Sequence, residues 1–144
     1  MIRKSSAVWR GDGLHGKGEL TTQSGIFHDQ PYSFMTRFQS EDGKAGTNPE
    51  ELIGAAHAGC FSMAFAAELG KAGITPEFIH TTATVTLDKT DAGFTVTESH
   101  LEMVAKIPGA DREAVVGIAN AAKAGCPISR VLNAKVTLDA KIEL

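Results

Sequence analysis

With only two cysteines among 144 residues, Cys60 and Cys126, the chain has too few thiols for a disulfide scaffold or a cysteine-rich zinc site. Two thiols still suffice for redox chemistry in a reducing compartment. The five histidines, His15, His28, His57, His80 and His100, form no H-E-x-x-H pair and no close cluster with cysteine, so no metal is expected. Positive charge is short as well. Fourteen Lys and Arg against 17 Asp and Glu leave a net charge of −3, which removes the counterion-release drive toward a phosphate backbone and argues against nucleic acid as a partner. No uninterrupted apolar run reaches the roughly 18 residues of a membrane span, and residues 1–6 lack the apolar stretch of a signal peptide. No membrane partner is therefore expected, and the cytosol is the expected compartment. Repeats, low-complexity tracts and an interdomain linker are absent, and the length suits a single domain over residues 1–144.

What is present favours a folded core, since 42% hydrophobic and 22% charged residues lie near globular averages. The first third reads as short strands, Ala7 to Trp9, Glu19 to Thr22 and Tyr32 to Phe38, punctuated by Gly, Asp, Ser and Pro into a meander with little core of its own. A helix start follows, with Asn48 as N-cap, Pro49 at the first helical position and Glu51 completing a capping box. Leu52, Ala56, Cys60, Met63 and Ala67 recur near helical spacing, and Ile53, Ala55, Ala64 and Phe65 widen the apolar surface, so this helix is expected to be central and buried, ending near Gly70 or Gly73. Thr82 to Asp88 alternates, Asp91-Ala92-Gly93 turns the chain, and Phe94 to Thr97 completes a hairpin that Leu101 to Ile107 extends. A helix over about 111–123 has Val115, Ile118, Ala119 and Ala122 inward, a short helix spans Ile128 to Leu132, and Val136, Leu138, Ala140 and Ile142 alternate in a last strand. Strands in runs separated by two longer helices predict the α+β class.

Several residue patterns are candidates for chemistry. Gly11 to Gly16 matches G-x-G-x-x-G, but a strand follows it where a dinucleotide site needs a helix, so the glycines read as a turn. Cys60 lies mid-helix on an apolar surface, a setting that also suits a small core hydrophobe. Cys126 precedes Pro127 in a turn entering a helix, where free N–H groups favour a thiolate. The cysteines are 66 residues apart, and a disulfide between them needs Cα atoms within about 7 Å, which only the fold decides. Arg37 ends a predicted strand and Glu50 stands in the first turn of the central helix. Either pair of roles is open for them: chemistry, or a solvated strand end and a carboxylate that complements the helix N-terminus. His57 stands one turn before Cys60, so a Cys/His nucleophilic pair competes with ordinary helix packing.

The run from Gly46 to Met63, with Cys60 near its end, resembles the OsmC/Ohr family of thiol peroxidases, and Lys123 to Ser129 resembles that family's second cysteine motif. Similarity extends through Gln30-Pro31-Tyr32, Thr36-Arg37-Phe38 and Leu87-Asp88-Lys89, and is nearest to the osmotically inducible branch. The resemblance implies an OsmC-like fold: N-terminal strands, a buried central helix with the first cysteine, a second sheet with a helix, and an intertwined homodimer. It implies reduction of organic hydroperoxides, and more weakly hydrogen peroxide, by a Cys60 thiolate that becomes a sulfenic acid and then a disulfide with Cys126. A dithiol reductant of lipoyl type would reset the pair. Arg37 would stabilise the reacting charges, with Glu50 orienting its guanidinium. In the organic hydroperoxide resistance branch a functional arginine lies near the Gly-rich turn, around Lys17 here, so Arg37 is carried over from the OsmC branch. Peroxide O–O bonds are weak, and no cofactor is expected. Glu50 and Cys60 are roughly 15 Å apart along one helix at 1.5 Å per residue, so an antiparallel crossing of two central helices would bring Glu50 of one chain to Cys60 of the other. The competing classes are a noncatalytic stress or ligand-binding protein with regulatory cysteines, and a hydrolase using Cys60 and His57.

Overall fold

In the computed structural model, which describes residues 1–144, the elements run β1 (Ser5–Arg10), β2 (Lys17–Thr22), β3 (Gln30–Ser33), α1 (Phe34–Phe38), α2 (Pro49–Lys71), β4 (Phe78–Thr90), β5 (Gly93–Lys106), α3 (Arg112–Gly125), α4 (Pro127–Val131) and β6 (Lys135–Glu143). They form an α+β fold with two three-stranded sheets, β1-β2-β3 and β4-β5-β6. The chain divides into two compact units, Met1–Leu52 and Ile53–Leu144.

The first unit is the antiparallel meander that the punctuation predicts, with β1 paired to β2 from Ser5↔Thr22 to Arg10↔Lys17 and β2 to β3 from Lys17↔Ser33 to Leu20↔Gln30. Its glycine motif is a hairpin turn. The Asp12 carboxylate accepts the amides of Leu14 and His15 at 2.8 and 2.7 Å, and those bonds hold its pKa below the usual carboxylate value. Gly18 is required by packing, because a Cβ there would stand 2.3 Å from the Tyr32 ring, which leans on Trp9 at a centroid distance of 5.4 Å. None of the buried hydrophobic side chains belongs to this unit.

One strand is shorter than its alternation suggests. β3 ends at Ser33, and Phe34–Phe38 turns into α1, because the Ser33 hydroxyl accepts the Thr36 amide at 3.2 Å while the Thr36 hydroxyl oxygen accepts the Ser33 amide at 2.9 Å. This reciprocal cap satisfies two amides that would otherwise need a sheet partner, so a five-residue segment favours a helical turn over a strand. Arg37 therefore lies in the last turn of a helix, not at a strand end.

α2 begins where expected. The Asn48 side chain accepts the Glu51 amide at 2.8 Å, and Pro49 takes the first position, where a missing N–H costs nothing. The box is one-sided, however: the Glu51 carboxylate accepts the Thr47 hydroxyl at 2.8 Å instead of reaching back to Asn48.

In the second unit, β4 and β5 form a long antiparallel hairpin through the turn at Asp91-Ala92, and β6 lies parallel to β5 from Glu98↔Lys135 to Lys106↔Glu143. Parallel neighbours need a crossover, which α3 and α4 supply. The core joins Phe61, Phe65 and Leu69 of α2 to Leu101, Met103 and Ala105 of β5, Val115, Ala119 and Ala122 of α3, Cys126 and Ile142. Gly54 lets α2 approach β4, since a Cβ at this position would stand 3.2 Å from the Ala83 carbonyl oxygen.

The buried seam of α2 is Gly54, His57, Phe61, Phe65 and Leu69, not the expected stripe of Leu52, Ala56, Cys60, Met63 and Ala67. Ala56, Met63 and Ala67 are exposed, Met63 to 77%, and Leu52 and Cys60 are half-buried. A helix apolar almost all round has no unique phase, and the seam includes a histidine that hydropathy would turn outward. For the same reason α2 is long and apolar enough, by length and composition, to cross a membrane, which a count of uninterrupted apolar runs overlooks. Its seam is instead packed into the second unit's core.

His57 is fully buried and doubly bonded, its Nδ1 to the Ser99 hydroxyl at 2.7 Å and its Nε2 to the Ser129 hydroxyl at 2.8 Å. Burial lowers its pKa from the ordinary 6.5. Above that pH the ring is neutral in both folded and unfolded chains. Below it the unfolded chain takes up a proton that the folded chain resists, so stability falls as pH drops through 6.5 toward the lower folded value. Urea unfolding at pH 7.5 and 5.5 should show a loss at the lower pH that His57→Asn reduces; equal pH slopes in the two proteins would remove His57 from the account. Phe61→Ala, which empties the middle of the seam, should cost about 3–5 kcal/mol in the same measurement.

Candidate active site

Cys126 stands at the junction between α3 and α4. It closes α3 by donating its amide to the Ala122 carbonyl at 2.8 Å, and Pro127, which has no N–H to continue the ladder, opens α4 in a new direction. On α2, Cys60 sits one place from the buried Phe61, on the flank of the seam. The fold brings these two sulfurs to 2.8 Å, both as free thiols, although 66 residues separate them in sequence. Cys126 is buried and Cys60 half-buried, so Cys60 is the sulfur a solute reaches first.

Their surroundings differ. Burial raises the Cys60 pKa, the adjacent Cys126 raises it further, and the Ile128 amide opposes both. For Cys126 burial also works upward, but the Cys60 thiol, the amide and hydroxyl of Ser129 and the Ile128 amide outweigh it and bring the pKa below that of a free thiol. These dipoles and the contact with Cys60 favour charge on Cys126 and keep the proton on Cys60. At 2.8 Å the proton has only to cross between sulfurs to interchange the two forms, so the pair titrates as one unit.

A second pairing lies in the N-terminal unit. The Arg37 Nη2 donates to Glu50 Oε1 at 2.6 Å and its Nε to Oε2 at 3.2 Å, a side-on fork that fixes the guanidinium plane. The guanidinium carbon lies 4.9 Å from the Phe38 ring centroid, and Glu50 is mostly buried. Trp9, Tyr32, Phe34, Arg37 and Phe38 line a cleft of about 260 Å³. An arginine held flat by a carboxylate at the wall of an aromatic cleft suits an oxygen-bearing solute with an apolar tail.

Of the predicted site residues, the structure therefore joins Cys60 to Cys126 and Arg37 to Glu50. Lys17 opens β2 opposite Arg10 and Ser33. His57 is no partner of Cys60, because hydroxyls occupy both ring nitrogens; this removes the basis for a Cys/His hydrolase. The participation of Ser99 and Ser129 was not expected from the sequence. Ser129 lies three residues after Cys126 in the second motif, whereas Ser99 carries no local signal.

Comparison with known proteins agrees with this geometry. The family described as OsmC-like protein matches residues 41–141. The chain is 53% identical over 141 residues to Peroxiredoxin OsmC of Escherichia coli strain K12, covering 98% of this chain and 96% of that one. It is 29% identical over 129 residues to the organic hydroperoxide resistance protein OhrB of Bacillus subtilis strain 168, with 88% of each chain covered. The crystal structure of OhrB of Bacillus subtilis superposes with a TM-score of 0.68 over 97% of this chain and 98% of that one at 25% identity. An OsmC-like protein of Vibrio cholerae has the same fold, with a TM-score of 0.77 over 97% and 99% of the two chains at 16% identity. A half-buried thiol in contact with a buried one, on this fold and at this level of identity, makes the chain a member of the OsmC/Ohr family.

Proposed function

We propose that this protein is a thiol peroxidase that reduces organic hydroperoxides, and hydrogen peroxide more weakly, with Cys60 as the oxidised residue and Cys126 as its resolving partner. The 2.8 Å contact between the two sulfurs carries this reading. The Cys60 thiolate attacks the distal peroxide oxygen; an S–O bond forms, the O–O bond breaks, and the alkoxide leaves with a proton as the alcohol. Cys126 then attacks the Cys60 sulfenic acid, the S–S bond forms, and the hydroxyl leaves as water. The sulfurs have only to close from 2.8 Å toward the roughly 2.05 Å of a disulfide. A dithiol reductant of lipoyl type returns both thiols by two exchanges and leaves as its own disulfide. A reducing cytosol would keep the resting pair reduced.

Arg37 supplies the cation for the developing alkoxide, and Glu50 holds its plane. Since roughly 15 Å of helix separates Glu50 from Cys60, one site draws its ion pair from one protomer and its cysteines from the partner. A homodimer is supported by the exposed Met63, Ala56 and Ala67 face of α2 and by a first unit whose Val8, Trp9 and Met35 stay exposed. The aromatic cleft beside Arg37 then meets the substrate's alkyl group.

Stopped-flow consumption of an alkyl hydroperoxide by prereduced protein tests the cysteines. Cys60→Ser should consume none, because a hydroxyl lacks the nucleophilicity of a thiolate, and Cys126→Ser should form one equivalent of sulfenic acid, trapped by dimedone and weighed by mass spectrometry, before stopping. Equal multi-turnover activity in wild type and Cys60→Ser would sink the assignment.

The composite site predicts complementation. Glu50→Ala and Cys60→Ser chains refolded together should regain about a quarter of wild-type activity, because half the dimers are mixed and each mixed dimer has one intact site. Arg37→Lys keeps the charge but loses the fork and should fall about tenfold in rate. No gain on mixing, or a fully active monomer in dilute solution, would contradict the shared site.

A further inference from the structure

His57, Ser99 and Ser129 form a chain of hydrogen bonds inside the core that the peroxidase steps leave without a role. It spans three elements, β5, α2 and α4, and ends three residues from Cys126. We propose that His57 is a positioning residue for disulfide formation: its tautomer turns the Ser129 hydroxyl proton toward the Cys126 sulfur and so readies Cys126 to attack. The proposal rests on the peroxidase reading for the step it serves, but the tautomer of the ring follows from its two hydrogen bonds.

A neutral imidazole has one N–H and one bare nitrogen, so the chain has two polarities. The Ser99 hydroxyl is fully buried, and its side-chain partner is His57 Nδ1 at 2.7 Å. A buried O–H donates where it has one acceptor, because an unmade bond leaves the full desolvation cost. Ser99 therefore donates to Nδ1, which must be bare, and the ring proton lies on Nε2. That proton is donated to the Ser129 oxygen at 2.8 Å. With its oxygen occupied as an acceptor from the ring, the Ser129 hydroxyl directs its own proton onward, to the Cys126 sulfur, whose thiolate it favours. The opposite tautomer would draw the Ser129 proton back to the ring and leave only a lone pair for the sulfur, which suits a thiol and not an attacking thiolate.

Burial keeps His57 neutral and so keeps this polarity available. The groups facing Cys126 are Cys60 on α2 and Ser129 and Ile128 on α4; those facing His57 are Ser99 on β5 and Ser129. No carboxylate, lysine or arginine bears on the titration of either. No net charge crosses the chain in this role. Ser129 stabilises the Cys126 thiolate before the S–S bond forms, and hydroxide departs from Cys60 as water after taking the proton released by the dithiol.

His57 is a core residue, so the test falls on the two serines. In quench-flow experiments Ser129→Ala should lower the ratio of disulfide formation to Cys60 oxidation about tenfold at pH 7 and raise the pH midpoint of disulfide formation by about one unit, while Ser129→Thr, which keeps the hydroxyl, restores most of both. Nitrogen-15 NMR of the wild type should find His57 protonated at Nε2 and bare at Nδ1, and Ser99→Ala should mix the tautomers. A readout free of peroxide is the pH titration of the Cys126 Cβ chemical shift in a Cys60→Ser background, which adding Ser129→Ala should move upward by a similar amount. Protonation at Nδ1 in the wild type, or a Cys126 titration unmoved by Ser129→Ala, would overturn the proposal. A wild type that consumes no hydroperoxide while that titration still moves supports the proton placement and fells the peroxidase reading instead.

Discussion

The contact between the Cys60 and Cys126 sulfurs is the constraint that the second unit is built to meet. One sulfur is carried by a helix whose seam of Phe61, Phe65 and Leu69 locks into the core, and which approaches β4 closely because Gly54 has no side chain. The other lies in the crossover that parallel pairing of β5 and β6 makes necessary. That crossover breaks at Cys126 because Pro127 cannot continue α3.

Contact alone would make two equivalent thiols, and their inequality comes from what else touches them. Cys60 borders solvent and meets one amide; Cys126 is buried and meets two amides and a hydroxyl. Burial by itself raises both, so the polar hydrogens around α4 decide which sulfur bears charge when the pair shares one proton. Access and charge are thus divided between the cysteines: the reachable sulfur is Cys60, and the one whose surroundings favour charge is the sheltered Cys126. In the proposed peroxidase cycle such a division would limit overoxidation, since a sulfenic acid at Cys60 would lie against Cys126 from the moment it forms.

Local chemistry was legible in the sequence wherever one residue type decides the outcome. Asn48 and Pro49 mark the start of α2, and the alternation from Val136 to Ile142 matches β6. Non-local choices were not. The phase of α2 is undetermined when nearly every face is apolar, and it is set by Phe61, Phe65 and Leu69 finding β5 and α3, with His57 inward because Ser99 and Ser129 satisfy it. Those bonds span 42 and 72 residues and leave no periodic trace. α1 was missed because a five-residue element depends on the Ser33–Thr36 cap more than on hydropathy. The roles proposed for the site residues came from family resemblance; spacing alone left Arg37 and Glu50 open between chemistry and ordinary charges and could not say whether the cysteines meet.

The ion pair and the dithiol impose different demands, which explains why they belong to different units. A dithiol must be dry enough for its sulfurs to share a proton and rigid enough to keep them in contact, so it sits on the only part of the chain with a packed core. The Arg37 guanidinium has the opposite setting: partial access, which in the proposed reaction would leave its charge available to an entering oxygen, and one firm anchor, which Glu50 provides through two bonds. The N-terminal unit that carries Arg37 on α1 buries none of its own large hydrophobic side chains, and the turn of α2 that carries Glu50 is the part of that helix farthest from the Phe65 and Leu69 end of the seam. Stability and charge presentation are therefore assigned to separate stretches of one helix. In the proposed homodimer a second copy of that helix would close the roughly 15 Å between them without either stretch giving up its own setting.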